Sequence, residues 1–274
     1  SFNLLSGLNS VGKSTILQSL LVLRQSYLEA EESERTSAEF PLQLNGDYIE
    51  LGDVQDVFYR ARGRETPDNI LAIGIEDTVA GDNEWQYARR PNVDFFDNAT
   101  FSGNASRILD TSLFSTSGKF QYIQAERIGP RVYTSTSDSR IARRDLGKAG
   151  EYTIHYLNQH QDDRIPYEEL LFEDSDGENR LIDQVIKWMG TISPNTVIET
   201  EVNRELGVSR LVIDDYRATN VGFGISYVLP VIVAILSSAR EDILLLENPE
   251  AHLHPQGQAQ MGILMARAAA AGTQ

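Results

Sequence analysis

A nine-residue glycine loop near the start of the chain constrains the fold more than any other feature. Residues Gly7-Leu8-Asn9-Ser10-Val11-Gly12-Lys13-Ser14-Thr15 match the phosphate-binding pattern G-x-x-x-x-G-K-[ST]. The glycines let successive backbone N–H groups point at phosphate oxygens, while Lys13 adds a positive charge and Ser14 a hydroxyl for Mg²⁺. Apolar residues at 2–5 predict a buried strand before the loop, and those at 16–28 predict a helix after it. A chance match does not explain these flanks, so we predict a nucleotide-binding loop.

Charge and composition exclude several classes of protein. The 274 residues include 40 acidic and 24 basic side chains, a formal net charge of -16, so any contact with DNA must be local. The absence of Cys excludes disulfides, thiolate catalysis and zinc–thiolate sites, and it agrees with a reducing cytoplasm. The most apolar stretch, 221–236, is shorter than a bilayer span and contains Gly and Pro, which predicts a buried helix. We expect a cytoplasmic protein without a membrane segment.

Hydrophobic patterning predicts a mixture of strands and helices along the middle of the chain. The acidic, Ser-rich residues 29–39 predict a solvated loop. The predicted elements are a hairpin over 42–51, a strand over 70–75, short antiparallel strands over 80–118, a strand over 122–125, helices over 167–172 and 179–189, and paired strands over 196–203 and 209–214. The loop 135–146 carries Arg140, Arg143 and Arg144, which form either a solvated face or a contact with phosphate or a partner.

An apolar run that ends in acidic residues lies near the end of the chain. The sequence Asp242-Ile243-Leu244-Leu245-Leu246-Glu247-Asn248-Pro249-Glu250 predicts a fully buried parallel strand that delivers carboxylates to the phosphate-binding edge of a sheet. A carboxylate there can hold the water shell of Mg²⁺, and a second can orient or deprotonate the attacking water. A core strand followed by an acidic helix start is the structural alternative.

Three segments together carry a resemblance. They are Gly7 to Thr15, Asn220-Val221-Gly222-Phe223-Gly224-Ile225-Ser226, and Leu246-Glu247-Asn248-Pro249-Glu250-Ala251-His252-Leu253-His254-Pro255. The chain resembles the ATPase heads of the ABC superfamily, and more narrowly the SMC, RecF and OLD-like predicted AAA ATPases of prokaryotes. The resemblance covers both ends of the chain and little of its middle. It implies that a strand and a switch His are missing after Gln274, and because the sequence starts within an apolar run and without Met, we also expect a trimmed N-terminus.

The resemblance implies a role for each matching residue, with ATP and Mg²⁺ as cofactors. Lys13 would contact the β- and γ-phosphates, Ser14 would bind Mg²⁺, and Glu247 stands where the family has its Walker B Asp. Asn248 occupies the position of the usual catalytic Glu, and because an amide cannot take a proton, hydrolysis is expected to be slow. Glu250 is the nearest substitute base, with helix N-capping as its structural alternative.

Further nucleotide contacts are implied by the same resemblance. The implied nucleotide-binding residues are Gly7, Asn9, Ser10, Val11, Gly12, Lys13, Ser14, Thr15, Gly222, Gly224 and Ser226. The last three form a signature-like loop that would cover the γ-phosphate bound by a second subunit, or its glycines would ease helix packing. Gln55 would sense Mg²⁺ as the Q-loop residue. His254 aligns with a loop at the dimer interface, and a His252–His254 metal pair is a weaker alternative.

The resemblance also implies the fold and the domain organisation. The expected fold class is α/β, a P-loop NTPase with an ABC-type head that has a mostly parallel core sheet, an antiparallel β subdomain and a helical lobe. We expect a single head over 1–274, with the loop and first antiparallel strands in 1–78, a variable middle region in 79–215, and the signature-like loop, Walker B strand and following helix in 216–274.

Two functions from different classes fit these expectations. The first is an ATPase that dimerises around ATP, as a homodimer or higher oligomer, and controls a DNA-directed or antiviral-defence effector such as a nuclease. The second is a nucleotide-gated scaffold with little hydrolysis, which Asn248 favours. A transporter ATPase is disfavoured by the OLD-like ending and by the absence of a transporter-type signature. Only the nucleotide part follows from the residues; the DNA, DNA repair or defence part follows from the resemblance.

Overall fold

The computed structural model describes residues 3–8, 12–58, 70–90, 93–97, 99–117, 120–175, 177–194, 196–220 and 222–274. The chain divides into two compact units, one of Leu4–Ser115 and one of Thr116–Gln274 with Ser1–Asn3. We call them the N-unit and the C-unit and describe each by itself. The predicted subdivision at residues 78 and 215 stays a prediction.

The N-unit combines a long helix with two small antiparallel sheets. Its helices are α1 (Lys13–Glu29), α2 (Glu32–Ser37) and α3 (Ala105–Leu109); its strands are β1 (Leu42–Gln43), β2 (Ile70–Asp77), β3 (Gly81–Ala88), β4 (Phe95–Phe96) and β5 (Ala99–Ser102). Strand β3 pairs antiparallel with both β2 and β5, and β1 pairs antiparallel with β4. The predicted strand at 70–75 and the antiparallel strands within 80–118 are therefore confirmed.

An aromatic cluster packs β3 of the N-unit against α1. Trp85 is fully buried, and its indole N–H donates to the carbonyl of Ala38 at 2.8 Å. Its ring lies 5.9 Å from that of Phe114, which in turn meets Tyr27 of α1 edge-on at 5.1 Å. Such offset and edge contacts add to the burial of large apolar surface. The alternation of β3 therefore puts Trp85 and Tyr87 into a closed core.

Three predictions for the N-unit are wrong in part. Residues 29–39 are not all loop, because Glu31 and Glu34 form a capping box that starts helix α2. The strand predicted at 2–5 is absent from the described residues 3–5, whose side chains are exposed, Leu4 by 72%, although a core strand requires burial. Residue 2 lies outside the described residues. The 42–51 hairpin is confirmed only for 44–51, where the N–H of Leu51 donates to Leu44 O and that of Gly46 to Ile49 O, both at 2.9 Å, whereas β1 pairs with β4.

The C-unit contains one parallel and one antiparallel sheet. Its helices are α4 (Asp138–Ala142), α5 (Thr153–His160), α6 (Leu181–Gly190), α7 (Phe223–Leu236) and α8 (Pro255–Ala271), with 3₁₀ turns at Glu168–Leu170 and Ala218–Asn220. Its strands are β6 (Phe120–Ile123), β7 (Thr134–Ser135), β8 (Ile198–Asn203), β9 (Val208–Ile213), β10 (Tyr216–Arg217) and β11 (Ile243–Leu246). Strand β11 runs parallel to β6, whereas β9 pairs antiparallel with β7, β8 and β10.

Most predictions for the C-unit are confirmed at the level of element type. Strand β6, helix α6, the β8–β9 pair and the parallel strand β11 all appear where the patterns placed them. Strand β11 is only half-buried, not fully buried. The predicted helix at 167–172 is only a 3₁₀ turn, and the 135–146 loop contains the short helix α4. Among the described residues, β6 and β11 form one parallel pair, and one pair does not establish a mostly parallel core sheet. That part of the expected fold stays a prediction.

Helix α7 is the centre of the C-unit core. All its residues from 228 to 236 are buried, and helices α5, α6 and α8 pack around it. A helix that is apolar on every side belongs inside a protein or a bilayer. No helix among the described residues combines the length and apolar character that a membrane span needs. The prediction for 221–236 is thus confirmed as a helix over Phe223–Leu236 that is buried from 228 to 236.

Replacing Gly150 by alanine should destabilise the C-unit by about 2 to 4 kcal/mol. Gly150 has a φ of +77°, and an added Cβ would lie 2.4 Å from Cγ of Pro230 in α7. Gly190→Ala is the control, because Gly190 ends α6 with no atom within 4 Å of an added Cβ. Urea unfolding followed by circular dichroism measures both; equal unfolding free energies for the two variants would contradict the prediction.

Candidate functional site

The glycine loop leads directly into an uncapped helix. Helix α1 begins at Lys13 with Gly12 as its N-cap, and a glycine has no side chain that could accept a hydrogen bond from the first turn. Gly12 has a φ of +91°, a left-handed conformation that other residues adopt only with strain. The first turn contains no acidic residue. The amide N–H groups and the positive end of the helix dipole at this point therefore suit an anion.

Lys13 is held over the loop that precedes it. Its ammonium donates to the carbonyl oxygens of Gly7 at 2.8 Å and Leu8 at 2.7 Å. Ser14 and Thr15, the next residues of α1, have exposed side chains. The predicted contacts Asn9, Ser10 and Val11 lie outside the described residues. The described part of the loop has the donors that phosphate oxygens need, so the residues present fit an ATP triphosphate with Mg²⁺ on Ser14.

Gln55 lies in a turn of the same unit. Its backbone N–H donates to the carboxylate of Asp53 at 2.6 Å, within the turn 53–56. Nothing in this turn identifies Gln55 as a sensor of Mg²⁺, and that role stays a prediction.

Glu247 follows β11 directly, and its carboxylate is held in one orientation. The backbone N–H of Ala125 donates to its Oε2 at 3.1 Å, and the buried hydroxyl of Tyr122 in β6 is a second hydrogen-bond partner. Burial raises the pKa of Tyr122, and the charge of Glu247 and the hydrogen bond to it raise that pKa further. Tyr122 therefore stays protonated and donates to the carboxylate. A carboxylate oriented in this way suits a role near Mg²⁺.

The turn after Glu247 has an irregular backbone. Asn248 has a φ of +43° and His252 a φ of +64°, and both side chains are exposed. Asn adopts this left-handed conformation more readily than Glu does, which gives a local reason for an amide at this position. Glu250 is exposed, and the next helix begins at Pro255 with His254 as its N-cap. The N-capping alternative for Glu250 is therefore wrong.

The start of α7 packs against this turn. The N-cap of α7 is the exposed Gly222, and a Cβ added at Gly224 would lie 3.2 Å from the backbone oxygen of His252. This close approach favours the packing interpretation of Gly224. The hydroxyl of Ser226 is buried and has no hydrogen-bond partner in the described part of the chain. A phosphate contact through Ser226 would require its first turn to rearrange; Val221 lies outside the described residues.

The two other proposed clusters have simpler explanations. The ring of His252 meets Tyr227 edge-on, with centroids 4.5 Å apart, and the described ranges hold no group of three His, Cys, Asp or Glu side chains arranged for a metal ion. In the arginine-bearing loop, Arg140 pairs with Asp145 at 2.7 Å and Arg144 with Asp242 at 3.4 Å. Two of the three arginines thus stabilise the C-unit itself.

Arg127 is a residue that the sequence did not single out. It lies four residues beyond β6, is 3% exposed, and donates to the backbone oxygens of Glu247 at 2.8 Å and Asn248 at 2.7 Å. Burial lowers the pKa of its guanidinium, and the charges of Tyr227, Glu250 and Glu247 partly offset that effect. A lone arginine before Ile128-Gly129-Pro130 has no periodicity that would signal its burial.

The fold and the site together define an ATPase domain of the P-loop NTPase type with an α/β fold. Residues 119–274 match the model of a family described as "AAA domain, putative AbiEii toxin, Type IV TA system", and the chain belongs to this family. The match includes Glu247 and α7, whereas the glycine loop precedes it. No curated protein and no solved structure matched the chain.

Proposed function

We propose that the protein is an ATP-hydrolysing, ABC-type ATPase of the SMC, RecF and OLD-like group that dimerises around ATP and controls an effector. The observation that carries the proposal is the uncapped start of α1, where the Lys13 ammonium is held over the carbonyls of Gly7 and Leu8. An ammonium placed beside free helix N–H groups binds the phosphates of a nucleotide. The oriented carboxylate of Glu247 supports hydrolysis in addition to binding.

Each residue contributes a definite step to the proposed reaction. Lys13 and the first amides of α1 bind and orient the phosphates, and Lys13 balances charge that develops on the γ-phosphate. Ser14 in the N-unit and Glu247 in the C-unit are each proposed as a Mg²⁺ ligand, and Mg²⁺ would supply charge neutralisation when bound. Asn248 donates or accepts a hydrogen bond that orients water, but it takes no proton. The exposed carboxylate of Glu250 is the proposed base, and turnover is accordingly slow.

Dimerisation and effector control rest on chemistry and on the family. A second copy of the chain would present its Gly222 and Gly224 at the start of α7, where helix N–H groups suit the γ-phosphate. The family is described as a putative toxin of a toxin–antitoxin system, which favours a role linked to an effector and to defence. The net charge of -16 makes a protein effector more suitable than a broad DNA-binding surface.

A nucleotide-gated scaffold is the second candidate, and one specific observation favours it. Asn248 occupies the position of the usual base with a left-handed backbone that Glu adopts less readily. A protein of this kind would bind ATP through α1, assemble with a partner and hydrolyse the nucleotide little.

Two measurements on the purified full chain test the proposal and separate the candidates. We expect light scattering to show a doubled mass with ATP and Mg²⁺, and we expect multiple turnovers that Glu250→Gln lowers about 10- to 100-fold. Glu205→Gln, an exposed acid in the β8–β9 turn, is the control and should retain full turnover. ATP binding without sustained turnover would favour the scaffold, and an unchanged monomer would contradict dimerisation.

A further inference from the structure

Arg127 is a buried cation whose guanidinium donates hydrogen bonds to three backbone carbonyls. Its Nη1 donates to Glu247 O at 2.8 Å and Gln124 O at 3.2 Å, and its Nη2 donates to Asn248 O at 2.7 Å. Burying a guanidinium is costly, and here burial lowers its pKa. Short, charge-assisted hydrogen bonds offset that cost. Two of the three carbonyls that make the burial of Arg127 possible belong to one segment of backbone, the turn after β11.

The two carbonyls of Glu247 and Asn248 fix how that turn runs. They belong to consecutive residues at a point where the strand has ended and the φ of Asn248 is +43°. A planar guanidinium donates to both oxygens at the same time and therefore fixes the orientation of the two peptide groups that carry them. A lysine ammonium is a point donor and does not impose the same geometry.

The segment that carries Arg127 also holds the side chain of Glu247. The N–H of Ala125 donates to its carboxylate at 3.1 Å, and the N–H of Glu247 donates to Ile123 O at 2.9 Å. The backbone and the carboxylate of Glu247 are therefore both fixed by residues 122–127. If the hydrogen bonds from Arg127 were lost, the peptide planes of Glu247 and Asn248 would change, and the position of the Glu247 carboxylate would change with them.

Arg127 also connects this turn with the start of α7. Its guanidinium carbon lies 5.8 Å from the centroid of the Tyr227 ring, within the range of a cation–π contact. The ring of Tyr227 meets His252 edge-on at 4.5 Å, and His252 O is the atom close to Gly224. One guanidinium thus contacts both the Glu247–His252 turn and helix α7, which begins at Phe223.

We propose that Arg127 is a positioning residue that fixes the turn carrying Glu247 and Asn248 and couples it to the first turns of α7. Its effect on turnover rests on the proposed function, whereas its effect on the turn does not. Arg127 acts through the backbone of Glu247 and the ring of Tyr227, which makes it a positioning residue and not a catalytic one.

The test compares Arg127→Met, Arg127→Lys and the control Arg131→Met, which removes an exposed arginine of the same loop. Hydrogen exchange of the nucleotide-free full chain is measured for peptides covering 244–254, 223–229 and α6. We expect Arg127→Met to accelerate exchange about tenfold or more in the first two peptides and to leave α6 unchanged. Arg127→Lys should restore part of the protection, and Arg131→Met should match the wild type.

Steady-state kinetics on the same variants measures the consequence for catalysis. We expect Arg127→Met to lower kcat about 10- to 100-fold, the usual effect of losing a group that orients a metal-site ligand, with KM for ATP within about threefold. Arg127→Lys should recover part of kcat.

Two results would overturn the proposal. One is wild-type exchange of 244–254 in Arg127→Met, and the other is equal acceleration in α6, which would mean general loosening of the C-unit. If the wild type lacks Lys13-dependent turnover, the proposed function fails, and the exchange of the turn still decides the role of Arg127.

Discussion

Lys13→Ala is expected to lower kcat/KM for ATP by about 10² to 10³, the largest effect of any single substitution in the N-unit. The ammonium of Lys13 is held 2.8 Å and 2.7 Å from the carbonyls of Gly7 and Leu8, so alanine removes the one side-chain cation of the glycine loop. Helix α1 keeps its free N–H groups, and weak nucleotide binding should survive. Phosphate release and the fluorescence of a labelled ATP analogue measure the two effects separately.

Two further variants separate the role of Lys13 from that of charge in general. Lys187→Ala removes a lysine of α6 that pairs with Glu178 at 3.0 Å, and it should leave turnover unchanged. Lys13→Arg keeps the charge on a larger planar group and should recover only a small part of the activity. Wild-type turnover in Lys13→Ala would contradict both the assignment of the loop and the proposed function.

The glycine loop and the acidic end of β11 were predictable because their chemistry is local. Phosphate binding needs Gly12, Lys13 and Ser14 next to one another, and a buried strand followed by Glu247 needs only a short apolar run. The alternation in 209–214 likewise predicted a paired strand, which β9 confirms over Val208–Ile213. The family match agrees with this reading as far as a P-loop ATPase domain.

Other features were not predictable because distant residues decide them. Arg127 is buried by carbonyls about 120 positions further along the chain, and no local pattern encodes such a pairing. Strand β1 pairs with β4 across some fifty residues, and the hairpin pattern of 42–51 does not encode this non-local partner. Helix α2 was missed for the opposite reason, since its acidic composition concealed a two-residue capping box.

Glu247→Gln is expected to lower kcat about 10²-fold while nucleotide binding persists. Glutamine is nearly isosteric and can still accept a hydrogen bond from the N–H of Ala125, so the turn should keep its shape. What the variant loses is the negative charge that we propose holds Mg²⁺, and the Mg²⁺ concentration for half-maximal turnover should therefore rise. Initial rates at varied Mg²⁺ and saturating ATP measure this effect.

The pKa of Tyr122 distinguishes loss of charge from loss of structure in this variant. Burial is the main cause that raises the pKa of Tyr122, and the charge and hydrogen bond of Glu247 come second. Removing the charge should lower that pKa only part of the way toward its usual value, as an earlier onset of ionisation in the NMR signal of the Tyr122 ring, resolved from the other ten tyrosines, would show during an alkaline titration. Glu199→Gln, an exposed acid on β8, should change neither the pKa nor the Mg²⁺ requirement. An unchanged Mg²⁺ requirement in Glu247→Gln would place the metal-binding carboxylate elsewhere, with Glu250 as the next residue to test.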